Sequence, residues 1–465
     1  MIYKEKFYFD KKEHPGECEV DEENHIYLTI NESDINSFKK KIVGNAGNES
    51  LILYSCRLVE FGVGYYKYQV SYMIKNCANI KYRNVDFNKH IQEFRFTFEP
   101  LDEWLGFKTI ERNKEIIKFN IPDDIILYDT DELKIKIKFF EEDSGLYDNS
   151  IRNIKVLPYI CVNSSKIITI KKIMTYIQLI TRFFAILMGY SGKVNRILFP
   201  KMYNGKIFME KIEDELVINT NFTNKYDIRV GYPTYNLRTY FKDLSDDIKE
   251  IYSRWFELYF NKKYGEAITV YFSPYNAPTV ESNLLNITKC LEKISIADEN
   301  KNEKQNKNKS FHKILIKFYK QHKKELEKEL KENNFKKEYI KNIENIHENI
   351  ANAIVYKYDN RITLSKRLKD IDQNFILNKN FNPKHCTKTN NDYSIYDYLA
   401  NTRNYYTHLD KGEYIIKDKY IPGYCRKLEK LFISKLLNLI IKDKKYVDEK
   451  IQKDIYLRLY DDRDL

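Results

Sequence analysis

The sequence predicts an α+β protein in two parts, a β-rich N-terminal domain over residues 1–235 and an all-α domain over residues 236–465. Three observations carry this prediction. Residues 133–140 read LKIKIKFF, with Leu133, Ile135, Ile137 and Phe139 on one face and Lys134, Lys136 and Lys138 on the other. That is the period of a half-buried strand. Near residue 236 the apolar period changes to that of a helix, and beyond it glycine is confined to Gly265, Gly412 and Gly423, in keeping with its cost inside helices. A chain of 465 residues is also too long for one ordinary core.

In the first part, HIYLTI (25–30), LILYS (51–55), EFRFTFEP (93–100), LKIKIKFF and KIFMEKI (206–212) alternate or are rich in β-branched and aromatic residues. A helix over roughly 171–188 interrupts them and is expected to pack across a sheet. Its apolar run IQLITRFFAILMG (177–189) is short and contains Arg182, so it reads as buried and not as a membrane span. The opening MIYKEKFYFDKKEH has no apolar signal-peptide core. A cytoplasmic protein with no membrane partner is expected.

In the second part, residues 236–275 read as a bridging helix and linker, the helix being YFKDLSDDIKEIYSRWFELYF (240–260). VESNLLNITKCLEKI (280–294) aligns Val280, Leu284, Ile287, Leu291 and Ile294 in one apolar stripe. ENKNEKQNKNKS (299–310) reads as a polar loop. Residues 311–332 and 336–358 read as long charged helices with solvated faces, on which His312, His322 and His347 are surface residues.

The formal net charge of +12 favours anionic partners, nucleic acid first. The Lys-, Asn-, Ile- and Tyr-rich composition of an AT-rich gene gives the same balance, so charge alone does not specify the partner. The seven cysteines are scattered with no C-x-x-C pair. That argues against a disulfide framework or a zinc site and fits a reducing compartment. His385 and Cys386 are adjacent in a polar loop without a second pair, so neither metal nor cofactor is expected.

Histidine is scarce, at eight residues, which draws attention to NTRNYYTHLD (401–410) inside the helical pattern of residues 393–412. Ser394 and Asp397 have capping-box spacing and Gly412 is a terminator. On a wheel with Arg403 at zero, Thr407 falls near about 40°, Asn404 near about 100° and His408 near about 140°, while Ile395, Tyr398, Leu399, Thr402, Tyr405 and Tyr406 fall between about 200° and 320°. One face is therefore polar. Arg offers a fork of donors for a phosphate or phosphorane, Asn can orient an oxygen or the imidazole, and His can move a proton near neutrality. Cleavage of RNA through its own 2′-OH needs a base and an acid, and a two-fold dimer supplies two His and two Arg to one site. A solvated helix face that includes Arg, Asn and His is the alternative on spacing alone.

LANTRNYYTHLDKG (399–412) resembles the R-x4-6-H signature of HEPN-domain ribonucleases, with Arg403 and His408 at the defining positions and Asn404 as the polar residue after Arg. PGECEVDEENHIYLTI (15–30), DEWLGF (102–107), the helix containing Trp255, Leu291-Glu292 and LSKRLKDI (364–371) resemble, in order, segments of ApeA-like antiphage proteins. These pair a β-rich N-terminal domain with a C-terminal HEPN helical bundle. The resemblance implies a metal-independent endoribonuclease, active as a homodimer or higher homo-oligomer, that stops phage by damaging RNA, with tRNA a frequent target. It implies a phage-derived trigger sensed by the N-terminal half, and it places Glu292 near Arg403 and His408. A non-catalytic module of the same fold that binds RNA or a phage protein is the rival reading. HEPN toxins controlled by AMP transfer usually carry a Tyr two residues after the His; here that residue is Asp410, which argues against that control.

Overall fold

The computed structural model describes residues 2–9, 12–21, 25–31, 38–46, 49–62, 65–75, 91–112, 117–143, 154–189, 192, 194–199, 202–203, 206–207, 214–218, 237–273, 279–298, 314, 317–318, 321–325, 327–333, 363–374, 376–378, 381–408 and 412–454. The chain forms two compact units that interleave in sequence. The first comprises Met1–Phe260, Phe272–Ala277 and Leu436–Arg458, the second Asn261–Tyr271, Pro278–Lys435 and Leu459–Leu465. The change of period at 235/236 is a division of the sequence, whereas these units are divisions of the packed chain.

The first unit is strand-rich and its strands pair antiparallel. Strands β1 (Ile2–Phe9), β2 (Lys12–Val20), β3 (Ile26–Ile30), β4 (Phe38–Ala46), β5 (Glu49–Gly62) and β6 (Tyr65–Lys75) form two meanders. Pairing of β1 with β4 and of β3 with β6 closes them into a six-stranded barrel. Closure removes the exposed edges that invite further strand pairing. The interior is filled by Phe7, Cys18, Ile26, Leu28, Ile42, Leu53, Tyr68, Val70 and Met73, among others, all buried. Phe7 lies across from Gly44, where an added Cβ would sit 2.5 Å from its ring. The bare backbone at Gly44 makes room for that ring.

The far end of β6 pairs with β16 (Asp214–Ile218), which continues into an open sheet. That sheet runs through β13 (Val194–Phe199), β7 (Glu93–Phe98), β12 (Ile154–Ser164) and β11 (Leu133–Asp143) to β10 (Ile125–Asp129) at the edge. The predicted alternation of LKIKIKFF holds as far as Lys138: Leu133, Ile135 and Ile137 are buried and the lysines face out, whereas Phe139, expected on the buried face, is only half-buried. Those lysines do not form a free cationic face. Lys134 pairs with Asp129 at 3.1 Å, and Lys136 and Lys138 pair with Asp124 at 2.9 and 3.5 Å. Two short hairpins form sheets of their own, β8 (Ile110–Arg112) with β9 (Ile117–Phe119) and β14 (Met202–Tyr203) with β15 (Lys206–Ile207). Of the predicted strand 206–212 only β15 is seen, and the remainder lies outside the described residues.

Two helices complete this core. Helix α1 (Leu101–Leu105) buries Trp104, and α2 (Ile170–Met188) is buried on nearly every face in its second half. Phe184 of α2 meets Phe98 and Trp104 at ring separations of 5.3 and 5.1 Å. On another side Phe183 meets Tyr252 at 4.9 Å, and Trp255 Nε1 donates to Leu179 O at 2.9 Å. Tyr252 and Trp255 belong to α3 (Ile248–Phe260). The single helix expected over 240–260 is thus shorter than expected: Phe241–Asp243 is a 3-10 turn, and the α-helix begins after Leu244-Ser245-Asp246-Asp247. Ser and Asp favour helix entry over helix interior, which explains the break.

The last carbonyls of α2 end inside this apolar packing and need donors. Gly189, at φ 73°, turns the chain and donates to Ala185 O. Arg238 Nη1 donates to Ile186 O, Thr239 Oγ1 to Leu187 O at 3.0 Å, and Arg238 N to Met188 O at 3.0 Å. Arg238 is then neutralised by Asp454, Nε to Oδ2 2.7 Å, and both are buried.

The second unit is helical among its described residues. Helix α4 (Lys262–Tyr271) packs on α5 (Val280–Asp298), and α5, α6 (Leu364–Ile371) and α7 (Ile395–His408) pack on one another. Helix α8 (Ile421–Ile440) contributes Phe432, whose ring lies 4.7 Å from that of Tyr271. From Leu436, within α8, the chain belongs to the first unit again, and helix α9 (Lys444–Lys453) follows there. Helix α4 lies where a linker was expected. In α5 the stripe Leu284, Ile287, Leu291 and Ile294 is buried as expected, but Val280, in the first turn, is 37 % exposed. The predicted loop 299–310 and helix 336–358 lie outside the described residues, and within 311–332 residues 314, 317–318, 321–325 and 327–332 are helical.

Arg238 would be a buried, unpaired cation without its carboxylate. Asp454→Ala is therefore expected to destabilise the protein by about 3–5 kcal/mol, read by urea unfolding followed by tryptophan fluorescence. A loss below about 1 kcal/mol, the range of an exposed ion pair, would show that the pair is not structurally important.

Candidate active site

Helix α7 carries Arg403, Asn404 and His408, and its framework fixes the direction of each. At its start Ser394 N and Ser394 Oγ donate to Asp397 Oδ2 at 2.9 and 2.6 Å, the backward half of a capping box. Ser365 Oγ of α6 donates to Asp397 Oδ1 at 2.5 Å, so one carboxylate joins the two helices. Burial alone would raise the pKa of Asp397, but these hydrogen bonds outweigh it and hold the carboxyl below its usual range.

Ile395, Tyr396, Tyr398, Leu399 and Thr402 are buried, whereas Asn404, Thr407 and His408 are exposed and Arg403 is half-buried. The wheel therefore describes the helix well in its second half. In the first half Tyr396 departs from it: at about 20° it lies on the polar side yet is buried, because its hydroxyl donates to the buried Asp372 at 3.1 Å. Burial raises Asp372, and donation from Leu377 N, Ile376 N and Tyr396 only partly offsets this.

The structure brings three of the four sequence-predicted site residues together. Arg403 Nη2 lies 3.8 Å from Glu292 Oε2 of α5, and Arg403 Nη1 donates to Asn404 Oδ1 at 3.2 Å. Thr407 Oγ1 donates back to Arg403 O at 2.8 Å. His408 is the last residue of α7 and exposed, and among the described residues its side chain makes no hydrogen bond or ion pair. It stands one helical turn beyond Asn404 and about 7.5 Å along the axis from Arg403. A single chain thus presents one cation, one amide and one imidazole on an accessible surface, with a carboxylate holding the cation.

Other candidates for chemistry drop out on their surroundings. His385 and Cys386, read as part of a polar loop, are both buried: His385 Nδ1 meets Tyr424 Oη at 3.0 Å, its ring lies 4.2 Å from that of Tyr420, and Cys386 bridges to Ile416. Burial pushes the Cys386 thiol up to about 11, and those of Cys18 and Cys56 in the barrel to about 12, so none is a thiolate near neutral pH. Among the described residues no group of three or more His, Cys, Asp and Glu is arranged to hold a metal ion, and no helix is long and apolar enough to cross a membrane.

Two family models match the chain. The model described as ApeA N-terminal domain 1 matches residues 3–255, and that described as Apea-like HEPN matches residues 285–445. No curated protein and no solved structure gives a match. The second matched span contains Glu292, Arg403, Asn404 and His408.

The Asp397 network is expected to stabilise α7 by about 0.5–2 kcal/mol, the range of a helix cap. Because the folded pKa of Asp397 is lowered, its contribution is complete above the unfolded value and is lost as pH falls through the folded one. The stability gap between wild type and Asp397→Asn, measured by urea unfolding, should therefore be constant near neutrality and close as pH falls past the ordinary aspartate value of 3.8. A gap that widens on acidification would contradict the assignment.

Proposed function

The chain belongs to the ApeA family and joins the family's N-terminal domain to an Apea-like HEPN domain, and on that premise we propose that it is a metal-independent endoribonuclease of antiphage defence. The observation that carries the reading is the polar end of α7. The His408 imidazole is exposed and, among the described residues, unbonded, while Arg403 is half-buried and held by Glu292.

Two copies of the chain bring this face together about a two-fold axis. Arg403 of each holds the scissile phosphate and meets the charge that develops on the phosphorane. One His408 takes the proton from the 2′-OH. O2′ then attacks phosphorus, the bond to O5′ breaks, and the second His408 protonates the leaving O5′. The products carry a 2′,3′-cyclic phosphate and a 5′-OH. Asn404 orients the Arg403 guanidinium in the free chain and a phosphate oxygen in the complex. Glu292 keeps the guanidinium extended along the helix surface until substrate arrives. The nucleophile belongs to the RNA, and tRNA is the first class to test.

The strand-rich half takes the role of sensor for a phage-derived trigger, and the protein works in the cytoplasm. The barrel core is filled with side chains, so recognition falls to outer faces and loops. The net charge of +12 suits an RNA partner, although the lysines of β11 are already matched by Asp124 and Asp129.

Wild-type protein incubated with total cellular RNA in EDTA, with and without phage lysate, is expected to give fragments with cyclic-phosphate ends. His408→Ala should lose about 10²–10⁴ in rate and Arg403→Ala about 10²–10³. Fragments with 5′-phosphate ends, or equal cleavage by wild type and His408→Ala, would reject the mechanism. Undiminished RNA binding by His408→Ala with no cleavage by either protein would favour the rival binding module.

A further inference from the structure

Two hydroxyls one helical turn apart fasten α7 to a single neighbouring segment. Thr402 Oγ1, fully buried, donates to Tyr398 O at 2.6 Å and accepts from Ile416 N at 2.9 Å. Tyr406 Oη donates to Asp418 Oδ1 at 2.7 Å. The receiving segment is itself held in place. Lys417 N donates to His385 O at 2.9 Å, and Thr387 N donates to Ile415 O at 2.8 Å. Ile415 N returns a bond to Thr387 Oγ1 at 3.2 Å, and Lys388 pairs with Glu413 at 2.8 Å. Tyr414 turns the segment back with φ 58°, in the left-handed region that few non-glycine residues occupy. Its ring lies 5.2 Å from that of Tyr393, just before α7.

These tethers lie away from the chemistry. On the wheel with Arg403 at zero, Thr402 and Tyr406 fall near about 260° and 300°, and His408 near about 140°. What they fix is the rotation of the helix and the integrity of its last turn. Helix ends fray unless their final turns are held, and His408 is the final helical residue. Tyr406, two positions earlier, is the last side chain in the helix with a hydrogen bond to another segment among the described residues.

We infer that Thr402 and Tyr406, acting through Ile416 and Asp418, are positioning residues that set where Arg403 and His408 point. The inference rests on the nuclease reading above and adds the residues that aim its site. Misplacement of a catalytic group by roughly 1 Å costs about 10²-fold, so the tethers govern turnover more than binding.

The test uses the full chain with total tRNA as substrate, and His408→Ala as the inactive control. Tyr406→Phe removes one hydroxyl at a half-exposed site and should fold. It is expected to lower kcat about 10–100-fold with KM and thermal midpoint unchanged. Amide hydrogen exchange should quicken at residues 405–408 and stay the same at 396–400. Thr402→Val should share the kcat loss, and Thr402→Ser should restore it. Full kcat in Tyr406→Phe despite faster exchange overturns the positioning role, and unchanged exchange overturns the tether. No cleavage by wild type overturns the nuclease reading and the catalytic half of the inference together, and the exchange measurement then decides the tether by itself.

Discussion

A helix that ends inside an apolar core leaves carbonyls that water cannot reach, and each must find a donor or cost the fold about 1–3 kcal/mol. Helix α2 ends this way, and two consecutive residues answer it. Arg238 and Thr239 supply a guanidinium, a backbone N–H and a hydroxyl to Ile186, Leu187 and Met188. Thr239 in turn accepts from Trp104 Nε1 at 3.3 Å, which ties α1 to the same end. The cation brought in for this purpose cannot stay unmatched, and its carboxylate comes from Asp454, 216 residues away. The far end of the chain is thus recruited into the strand-rich unit to balance a charge that helix capping introduced. A similar device recurs where Arg254 Nη1 donates to Ile440 O at 2.5 Å, meeting the end of α8.

In the helical unit the same economy of polar groups serves geometry. Asp397 binds the start of α7 to α6, Asp372 holds Tyr396, and Glu429 receives Tyr271 and Arg426 at 2.8 and 2.9 Å. Each is a buried or half-buried carboxylate whose oxygens are met by short hydrogen bonds, as burial demands. The apolar packing of α5, α6 and α7 sets their separation, and these directional bonds set their rotation. Rotation is what matters to a site built on one helix face, since one residue's slip amounts to about 100°.

The sequence was most informative where periodicity acts locally. The alternation of 133–138, the burial of 177–188 and the polar face at Arg403, Asn404 and His408 appear as expected. Barrel closure was not legible, because β1 meets β4 and β3 meets β6 through pairings that no local pattern encodes. Helix α4 was missed because Gly265 and its charges weaken the helical signal that packing on α5 restores. His385 and Cys386 read as polar because their covers, Tyr420 and Tyr424, come some 35–39 residues later. Glu292 entered only through resemblance, since spacing cannot join residues 292 and 403. Thr402 and Tyr406 were placed on the apolar face, which is right for their rings and methyls but silent about hydroxyls whose partners lie 12–14 residues on.

Strand β6 has one further consequence. Residues 66–70 pair with β3 and residues 72–75 with β16, on the same edge, while β5 runs along the other. The strand is a beam shared by barrel and open sheet, and a displacement along it loads both without passing through a loop. Its length is correspondingly constrained by register. A residue inserted between Val70 and Tyr72 would put the two pairings out of step by one and turn Met73 from the barrel core to the outside. A turn elsewhere in this fold can lengthen without that cost, but a change in the count of β6 requires that both sheets be re-registered together.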